Sequence, residues 1–241
     1  MEDLLIYVGA WFIAGVVNHI AGLGAAMVAM PIVVPFIPLN VAVPSSTLIV
    51  LSINLQLGWN FRQYIQWPDL RYIFIGGIGG TVAGIYMISS LPNETLKMLM
   101  AVFLICYAFY ALFLEKRGPG GLDSRWGMLA GSLSTFFGSA LGFNGPPLAV
   151  YTAMSGWTAD AAKGTLGACF ILTGFAILSG QISAGLQNMQ TLAYFLAAGP
   201  AALAGGWVGI RCSRNFKKET SRKVLLALIL FAGSSILYSC I

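Results

Sequence analysis

Charged residues are scarce in this sequence of 241 residues, where Asp, Glu, Lys and Arg together make up 9%. Soluble globular domains carry close to a quarter. Hydrophobic residues make up 58% and the mean hydropathy is +0.81, so the chain is too apolar for a soluble protein. Its apolar segments have the length of helices rather than the short alternating pattern of an outer-membrane barrel. The composition therefore predicts an all-α membrane protein with several spans.

Residues that carry chemistry are equally sparse. The chain has one histidine and four cysteines. The cysteines are far apart, in or beside apolar segments, and lack the spacing of a zinc site or a redox pair. They are Cys106, Cys169, Cys212 and Cys240. No phosphate-binding loop, metal cluster or nucleophile with a matching base appears in the sequence. We therefore predict neither an enzyme nor a bound cofactor or metal.

Glycine, proline and amide residues interrupt two otherwise apolar runs. We call these interruptions the first tip, residues 18–25, and the second tip, residues 138–145. A break in a helix frees backbone groups, and lipid offers those groups no hydrogen-bond partner. Such a break is tolerated only inside the protein or beside a cavity. Two similar breaks in one chain indicate that the same site-forming element occurs twice.

The order of segments recurs along the chain. An interrupted segment at 4–37 precedes spans near 42–60, 70–90 and 96–114, and a second one at 126–155 precedes spans near 160–180, 191–210 and 222–241. Placing Gly22 on Gly142, an offset of 120 positions, also brings Gly79 onto Gly199 without a gap. A rival offset of 116 positions does not extend beyond the first segment.

This recurrence indicates an internal duplication. We therefore predict a single membrane domain made of two homologous halves. The first repeat occupies 1–115 and the second 126–241, and a charged, glycine-rich cytoplasmic linker at 116–125 joins them.

The distribution of Lys and Arg predicts the topology. If each interrupted segment crosses the membrane once, the 13 basic residues divide 5 against 8 between the two faces. If each segment returns to the face from which it started, they divide 12 against 1, with only Lys97 opposite. The positive-inside rule selects the second arrangement, which places both termini outside and makes the halves inverted copies. The basic residues then serve topology, so we expect no nucleic-acid partner.

The length of the interrupted segments distinguishes a re-entrant hairpin from two complete crossings. Arms such as 4–17 and 24–37 would each be about 21 Å long as helices. The hydrocarbon core of a bilayer is about 30 Å thick. We therefore predict two re-entrant or strongly tilted helical hairpins, each followed by three transmembrane helices. They enter from opposite faces, and their tips meet near the midplane.

The starts of the second arms are candidate anion sites. They lie near Gly24 and Ala25 and near Gly145 and Pro146. A helix N-terminus offers unpaired N–H groups and a positive dipole, and broken helices in inverted repeats place substrates at such ends. Glycines such as Gly22 and Gly142 let the backbone approach a ligand closely.

Polar side chains at the tips are candidate ligands as well. They are Asn18, His19, Ser139 and Asn144. Each either donates to a bound anion or satisfies the freed carbonyl groups of a tight turn. His19, the only histidine, is either a proton carrier or a neutral ring bonded to a carbonyl group.

Two further candidates follow the tips in sequence. Lys163 is either a fixed positive charge that attracts an anion, or it pairs with Asp160 or extends to the inner face. Ser46 stands at the matching depth in the first half, and it either lines the same cavity or hydrogen-bonds back along its helix. Asn54 and Gln56 lie deeper in the same span.

At these residues the chain resembles the sulfite exporter TauE/SafE family, also called the 4-toluene sulfonate uptake permeases. Gly22, Leu23 and Gly24 with Pro31 resemble the first glycine-rich copy of that family, and 142–147 with Tyr151 resembles the second. Ala25, Ala26 and His19 depart from the family pattern in the first copy. The resemblance covers essentially the whole chain. It implies a multi-pass plasma-membrane carrier for sulfite, sulfonates or related sulfur-containing anions.

The sequence thus supports three hypotheses. The first is a secondary transporter that binds a small sulfur-containing anion between the tips and alternates access by rocking one half against the other. The second is a passive anion channel of the same architecture. The third is a membrane scaffold without transport. The direction of transport, the coupling ion, and the choice between a monomer and a homodimer stay open at this stage.

Overall fold

The computed structural model describes residues 2–21, 24–114 and 120–212, together with nine positions between 226 and 237. The described chain contains helices and no β-strand. The first half contains α1 (Glu2–Ala21), α2 (Ala25–Val33), α3 (Leu39–Asn60), α4 (Trp67–Ser90) and α5 (Asn93–Phe109), which continues as a turn of π-helix, Tyr110–Leu114. The second half contains α6 (Trp126–Leu141), α7 (Gly145–Ser155), α8 (Ala159–Ser183) and α9 (Met189–Cys212).

Six of the described helices are long and apolar enough to cross a membrane. They are Glu2–Ile20, Leu39–Asn60, Trp67–Ser90, Asn93–Phe113, Ala159–Ser183 and Met189–Cys212. The prediction of an all-α protein with several membrane-spanning helices is confirmed. The predicted last span at 222–241 lies largely outside the described residues, and the nine described positions within it are helical. Gly22 and the first four residues of the predicted linker, 116–119, also lie outside them.

The two halves begin corresponding helices at corresponding positions. Helix α2 begins at Ala25 and α7 at Gly145, 120 positions later. Helix α3 begins at Leu39 and α8 at Ala159, again 120 positions later. The offset between Gly22 and Gly142 therefore also describes the starts of the second and third helices of each half.

The fourth helices depart from that offset. Helix α1 packs along α9, and α6 packs along α4. A β-carbon at Gly80 would lie 2.0 Å from the carbonyl oxygen of Ser132, and one at Gly205 would lie 2.1 Å from that of Phe12. The two residues that supply these carbonyl groups, Phe12 and Ser132, are 120 positions apart. The two glycines that pack against them, Gly80 and Gly205, are 125 positions apart. The gap-free register therefore fails for α4 and α9, in part because α8 has 25 residues and α3 has 22.

The arms of the two interrupted segments are unequal. Helix α1 has 20 residues and is about 30 Å long, whereas α2 has 9 residues and is about 14 Å long. The predicted first arm at 4–17 was therefore too short. Asn18 and His19 were assigned to the break, but they lie within α1, where the His19 ring is hydrogen-bonded to the carbonyl group of Gly15 four residues earlier.

Two sets of contacts describe how the ends of the interrupted segments pack. The hydroxyl of Tyr7, in the second turn of α1, is 2.6 Å from that of Ser45 near the start of α3. In the second half, Gly127 at the start of α6 packs beside Asp69 of α4, and Tyr151 of α7 donates a hydrogen bond to the same Asp69. In each half, the start of the interrupted segment thus lies close to residues near or after the end of its second arm.

The pair of Tyr151 and Asp69 gives a test of this packing. Both side chains are buried. Tyr151→Phe removes the donor and leaves a buried carboxylate oxygen unpaired, so we expect a loss of about 1–3 kcal/mol in stability. Thermal unfolding in detergent micelles measures it. Tyr86→Phe is the matched control, because Tyr86 is 74% exposed. Equal melting temperatures for the two variants would contradict the assigned contact.

Candidate functional site

The two tips meet in the middle of the bundle around a small cavity, which we call the Asn18 cavity. Its volume is about 20 Å³, room for about one water molecule. It is lined by Asn18, Gly24, Ala25, Ala26, Met27, Val50, Asn54, Phe143, Asn144, Gly145 and Phe170. The structure thus brings five predicted site residues, Asn18, Gly24, Ala25, Asn144 and Gly145, to one place. Val50 and Phe170 place the cavity near the middle of α3 and α8.

Glycine makes both turns possible. Gly24 precedes α2 with φ 104°, and Gly142 follows α6 with φ 85°. A β-carbon in this left-handed region costs about 1–2 kcal/mol. At Gly142 a β-carbon would also lie 2.9 Å from the terminal methyl of Met30. The two positions therefore require glycine for the backbone and, at Gly142, for space.

The start of α2 is capped from a distance by Asn18. The backbone N–H of Ala25 donates to Oδ1 of Asn18 over 3.2 Å. The Nδ2 atom of Asn18 is buried and has no hydrogen-bond partner. The N–H groups of Ala26 and Met27 belong to the first turn of α2, for which a helix has no acceptor of its own. Amide donors therefore converge on the Asn18 cavity from the first half.

The start of α7 offers fewer donors. Asn144 is its N-cap residue, with no side-chain capping bond, and Pro146 and Pro147 follow Gly145. Proline has no N–H, so of the first three residues of α7 only Gly145 has a backbone donor. The Asn144 carbonyl accepts a 2.5 Å bond from the hydroxyl of Ser134. The start of α7 therefore supplies fewer backbone N–H groups than the start of α2, because the two prolines remove two of them.

A second cavity of about 20 Å³, the Thr47 cavity, adjoins the first. It shares the walls Val50, Asn144 and Phe170 with the Asn18 cavity, and its own lining comprises Thr47, Leu51, Gly138, Gly142, Gly174 and Ile177. The Thr47 hydroxyl accepts a 3.0 Å bond from Nε2 of Gln181, which ties α3 to α8. The predicted residue Ser46 lies beside Gly142, and its hydroxyl donates to the carbonyl of Val43 over 2.7 Å.

Ser139 lies away from both cavities, in the interface between α6 and α4. Its hydroxyl is 2.7 Å from the carbonyl oxygen of Thr135 and 3.3 Å from that of Thr81. A β-carbon at Gly84 would lie 2.1 Å from the Ser139 hydroxyl, so the two helices are in close contact here. The Ser139 hydroxyl therefore donates to backbone carbonyl groups and does not face the space where an anion would bind.

His19, in the first tip, and Lys163, on α8, do not line either cavity. The His19 ring faces α9 at Gly206 and is buried. The Lys163 ammonium is 5.0 Å from the centre of the Phe61 ring at the end of α3. It is close enough to His19 for an electrostatic interaction. These two predicted residues therefore form a basic region between the first tip and the start of α8.

Comparison with known families gives one match. Residues 7–236 match the family described as Sulfite exporter TauE/SafE. The chain belongs to the TauE/SafE family. Because this family consists of membrane transporters, the six long apolar helices belong to a multi-pass membrane transport protein. No curated protein and no solved structure shows significant similarity to the chain.

The TauE/SafE match extends across both cavities, whose walls include polar residues of α3 that were weaker candidates in the sequence. Thr47 and Asn54 line them from α3, and Gln181 of α8 supports Thr47. The polarity of these residues could have identified them from the sequence. Each stands inside a long apolar span, where polar side chains mark pathways or partners. Polarity alone does not say which face of the helix such a residue occupies.

Proposed function

We propose that this protein is a secondary transporter that carries a small sulfur-containing anion, such as sulfite or a sulfonate, across the plasma membrane. The anion binds where the two tips meet, and both chain termini lie outside. The single observation that supports the site best is the buried, unpaired Nδ2 of Asn18 in the wall of the Asn18 cavity. An unpaired donor beside a helix N-terminus attracts an anion.

The composition of the cavity walls agrees with an anion. Among the residues that line the Asn18 and Thr47 cavities there is no Asp or Glu. The polar groups are the amides of Asn18, Asn54 and Asn144 and the hydroxyl of Thr47. Apolar walls from Phe143 and Phe170 exclude water and strengthen each hydrogen bond to a bound charge. A small oxyanion suits this mixture of a few donors and apolar walls.

The size of the cavities favours a transporter over a channel. Each holds about 20 Å³, which is room for about one water molecule, so the tips must separate before an oxyanion enters. In the proposed cycle the two inverted halves rock against each other and expose the site to one side at a time. A passive channel would need a continuous path past Phe143 and Phe170 instead.

Flux measurements in proteoliposomes test this function. We expect saturable movement of radiolabelled sulfite and methanesulfonate, with little movement of acetate, whose carboxylate has fewer oxygen acceptors. Movement no faster than in protein-free liposomes would overturn the substrate assignment. Single-channel currents without saturation would replace the transporter with the passive channel. The protein is reconstituted in both orientations, so importers and exporters are both detected.

A further inference from the structure

The ring of His19 has a defined tautomer. Its Nδ1 atom is 3.1 Å from the carbonyl oxygen of Gly15. A carbonyl oxygen only accepts hydrogen bonds, so this contact requires the proton on Nδ1. In the neutral ring Nε2 then carries a lone pair and acts as an acceptor. That Nε2 atom is buried and has no partner.

A second unpaired acceptor lies beside it. The Oε1 atom of Gln56 on α3 is also buried without a partner. A β-carbon at Gly206 would lie 2.6 Å from Cε1 of His19 and 3.3 Å from Oε1 of Gln56, so these two atoms are no more than about 6 Å apart. Both acceptors thus belong to side chains beside Gly206, and neither has a donor. Leaving such groups unpaired is costly, and a proton on Nε2 or a water molecule supplies a donor.

The second half has no such arrangement. The positions 120 residues after His19 and Gln56 are Ser139 and Ala176. Ser139 is bonded to two carbonyl groups, and alanine has no polar atom. Among the described residues, the unpaired acceptors therefore lie in the first half. His19 is one residue from Asn18, whose amide has the unpaired donor in the proposed anion site.

One charged group of the described chain acts electrostatically on His19, the Lys163 ammonium of α8. Helix α8 also contains Asp160 in its first turn, and α9 contains Arg211, which stacks over the Trp207 ring. Helix α3 contains no titratable side chain, and the acidic residues of α1 are at its opposite end, at Glu2 and Asp3. A proton on His19 therefore adds to a positive region, and an anion at Asn18 offsets that charge.

We propose that Nε2 of His19 and Oε1 of Gln56 form a buried proton-binding site, and that the proton bound there accompanies the transported anion. The proton moves from water to Nε2, so the ring gains one positive charge while the anion brings a negative one. The proton site stands on the tautomer and the two unpaired acceptors. Only its coupling to the anion rests on the proposed function.

Nitrogen NMR tests the proton site without transport. His19 is the only histidine, so protein labelled with ¹⁵N-histidine and placed in liposomes gives the signals of a single ring. We expect a neutral ring with its proton on Nδ1, and protonation of Nε2 as the pH falls from about 8 to 5. Gln56→Leu should change the Nε2 signal and its titration more than Ser179→Ala, on the lipid side of α8. A proton on Nε2 in the neutral ring, or no titration in this range, would overturn the proposal.

Proton uptake tests the coupling. Methanesulfonate is fully ionised, so any proton that moves with it is carried by the protein. We expect its addition to proteoliposomes that contain a pH-sensitive dye to acidify the lumen. His19→Gln keeps an amide in place of the ring and should lose this uptake while still binding methanesulfonate. Uptake that persists in His19→Gln would overturn the coupling. If the unmodified protein binds neither methanesulfonate nor sulfite, the proposed function fails, and the NMR result still decides the proton site.

Discussion

Asn18→Asp is expected to weaken anion binding by roughly 10- to 100-fold while the protein stays folded. Aspartate keeps the oxygen that accepts the N–H of Ala25, so the start of α2 remains capped. It replaces the unpaired Nδ2 with a second oxygen, which removes the donor and places negative charge in the Asn18 cavity. A hydrogen bond to a charged group is worth about 1.5–3 kcal/mol, which sets the expected range.

Calorimetric titration of the solubilised protein with sulfite and methanesulfonate measures this effect, at about pH 8 so that the carboxylate is ionised. The chain offers a close control. Asn93 also caps a helix start from a distance, since its Oδ1 accepts the N–H of Leu39 over 2.8 Å. It lines neither cavity, so Asn93→Asp should leave anion affinity unchanged. Equal affinities for all three proteins would remove Asn18 from the site.

The position of the site was predictable from the sequence because glycine and proline interrupt helices in a recognisable way. Gly142 and the pair Pro146 and Pro147 mark the second turn, and the helices on either side end and begin beside them. The first turn was located within a few residues but extended too far toward the N-terminus. Asn18 and His19 resemble break residues by polarity, yet a helix accommodates them once partners such as Gly15 and Ala25 are available.

The direction of each side chain was not predictable from the sequence. Ser139 and Asn144 are both polar residues at the second tip, but only Asn144 reaches the cavities. Ser139 faces α4, because Gly84 lets that helix come close. Which helix face meets which neighbour depends on packing between segments far apart in the chain, and local periodicity does not contain that information. For the same reason, the sequence did not reveal that equivalent positions of α4 and α9 are five residues beyond the offset of 120.

The two halves share an architecture but differ in their chemistry. In the first half, the Asn18 amide, the His19 ring and the start of α2 lie together, whereas the second half has Gly138, Ser139 and a helix start with two prolines. Both halves therefore contribute backbone turns to the walls of the cavities. The donors and the titratable group come mainly from the first. We expect substitutions at the first tip to affect anion binding more than substitutions at the second.

Gly80→Ala is expected to destabilise the protein by about 1–3 kcal/mol or more. A β-carbon there would lie 2.0 Å from the carbonyl oxygen of Ser132 on α6 and 2.4 Å from the hydroxyl of Thr135. The carbonyl belongs to the backbone, so relief requires α4 and α6 to move apart. That movement disturbs α6, which leads into the second tip, and so anion flux should fall together with stability.

Gly79→Ala is the matched control, because a β-carbon at Gly79 meets nothing within 4 Å. Alanine favours helix over glycine by up to about 1 kcal/mol, so Gly79→Ala should unfold at the same temperature as the unmodified protein or at a higher one. Thermal unfolding in detergent and in lipid nanodiscs compares the two variants. The corresponding pair at the contact of α1 with α9 is Gly15→Ala, whose β-carbon would lie 2.1 Å from the carbonyl oxygen of Ala202, and Gly9→Ala, whose β-carbon meets nothing within 4 Å. If the variants of Gly79 and Gly9 were as unstable as those of Gly80 and Gly15, close backbone contact between helices would not explain why Gly80 and Gly15 are glycines.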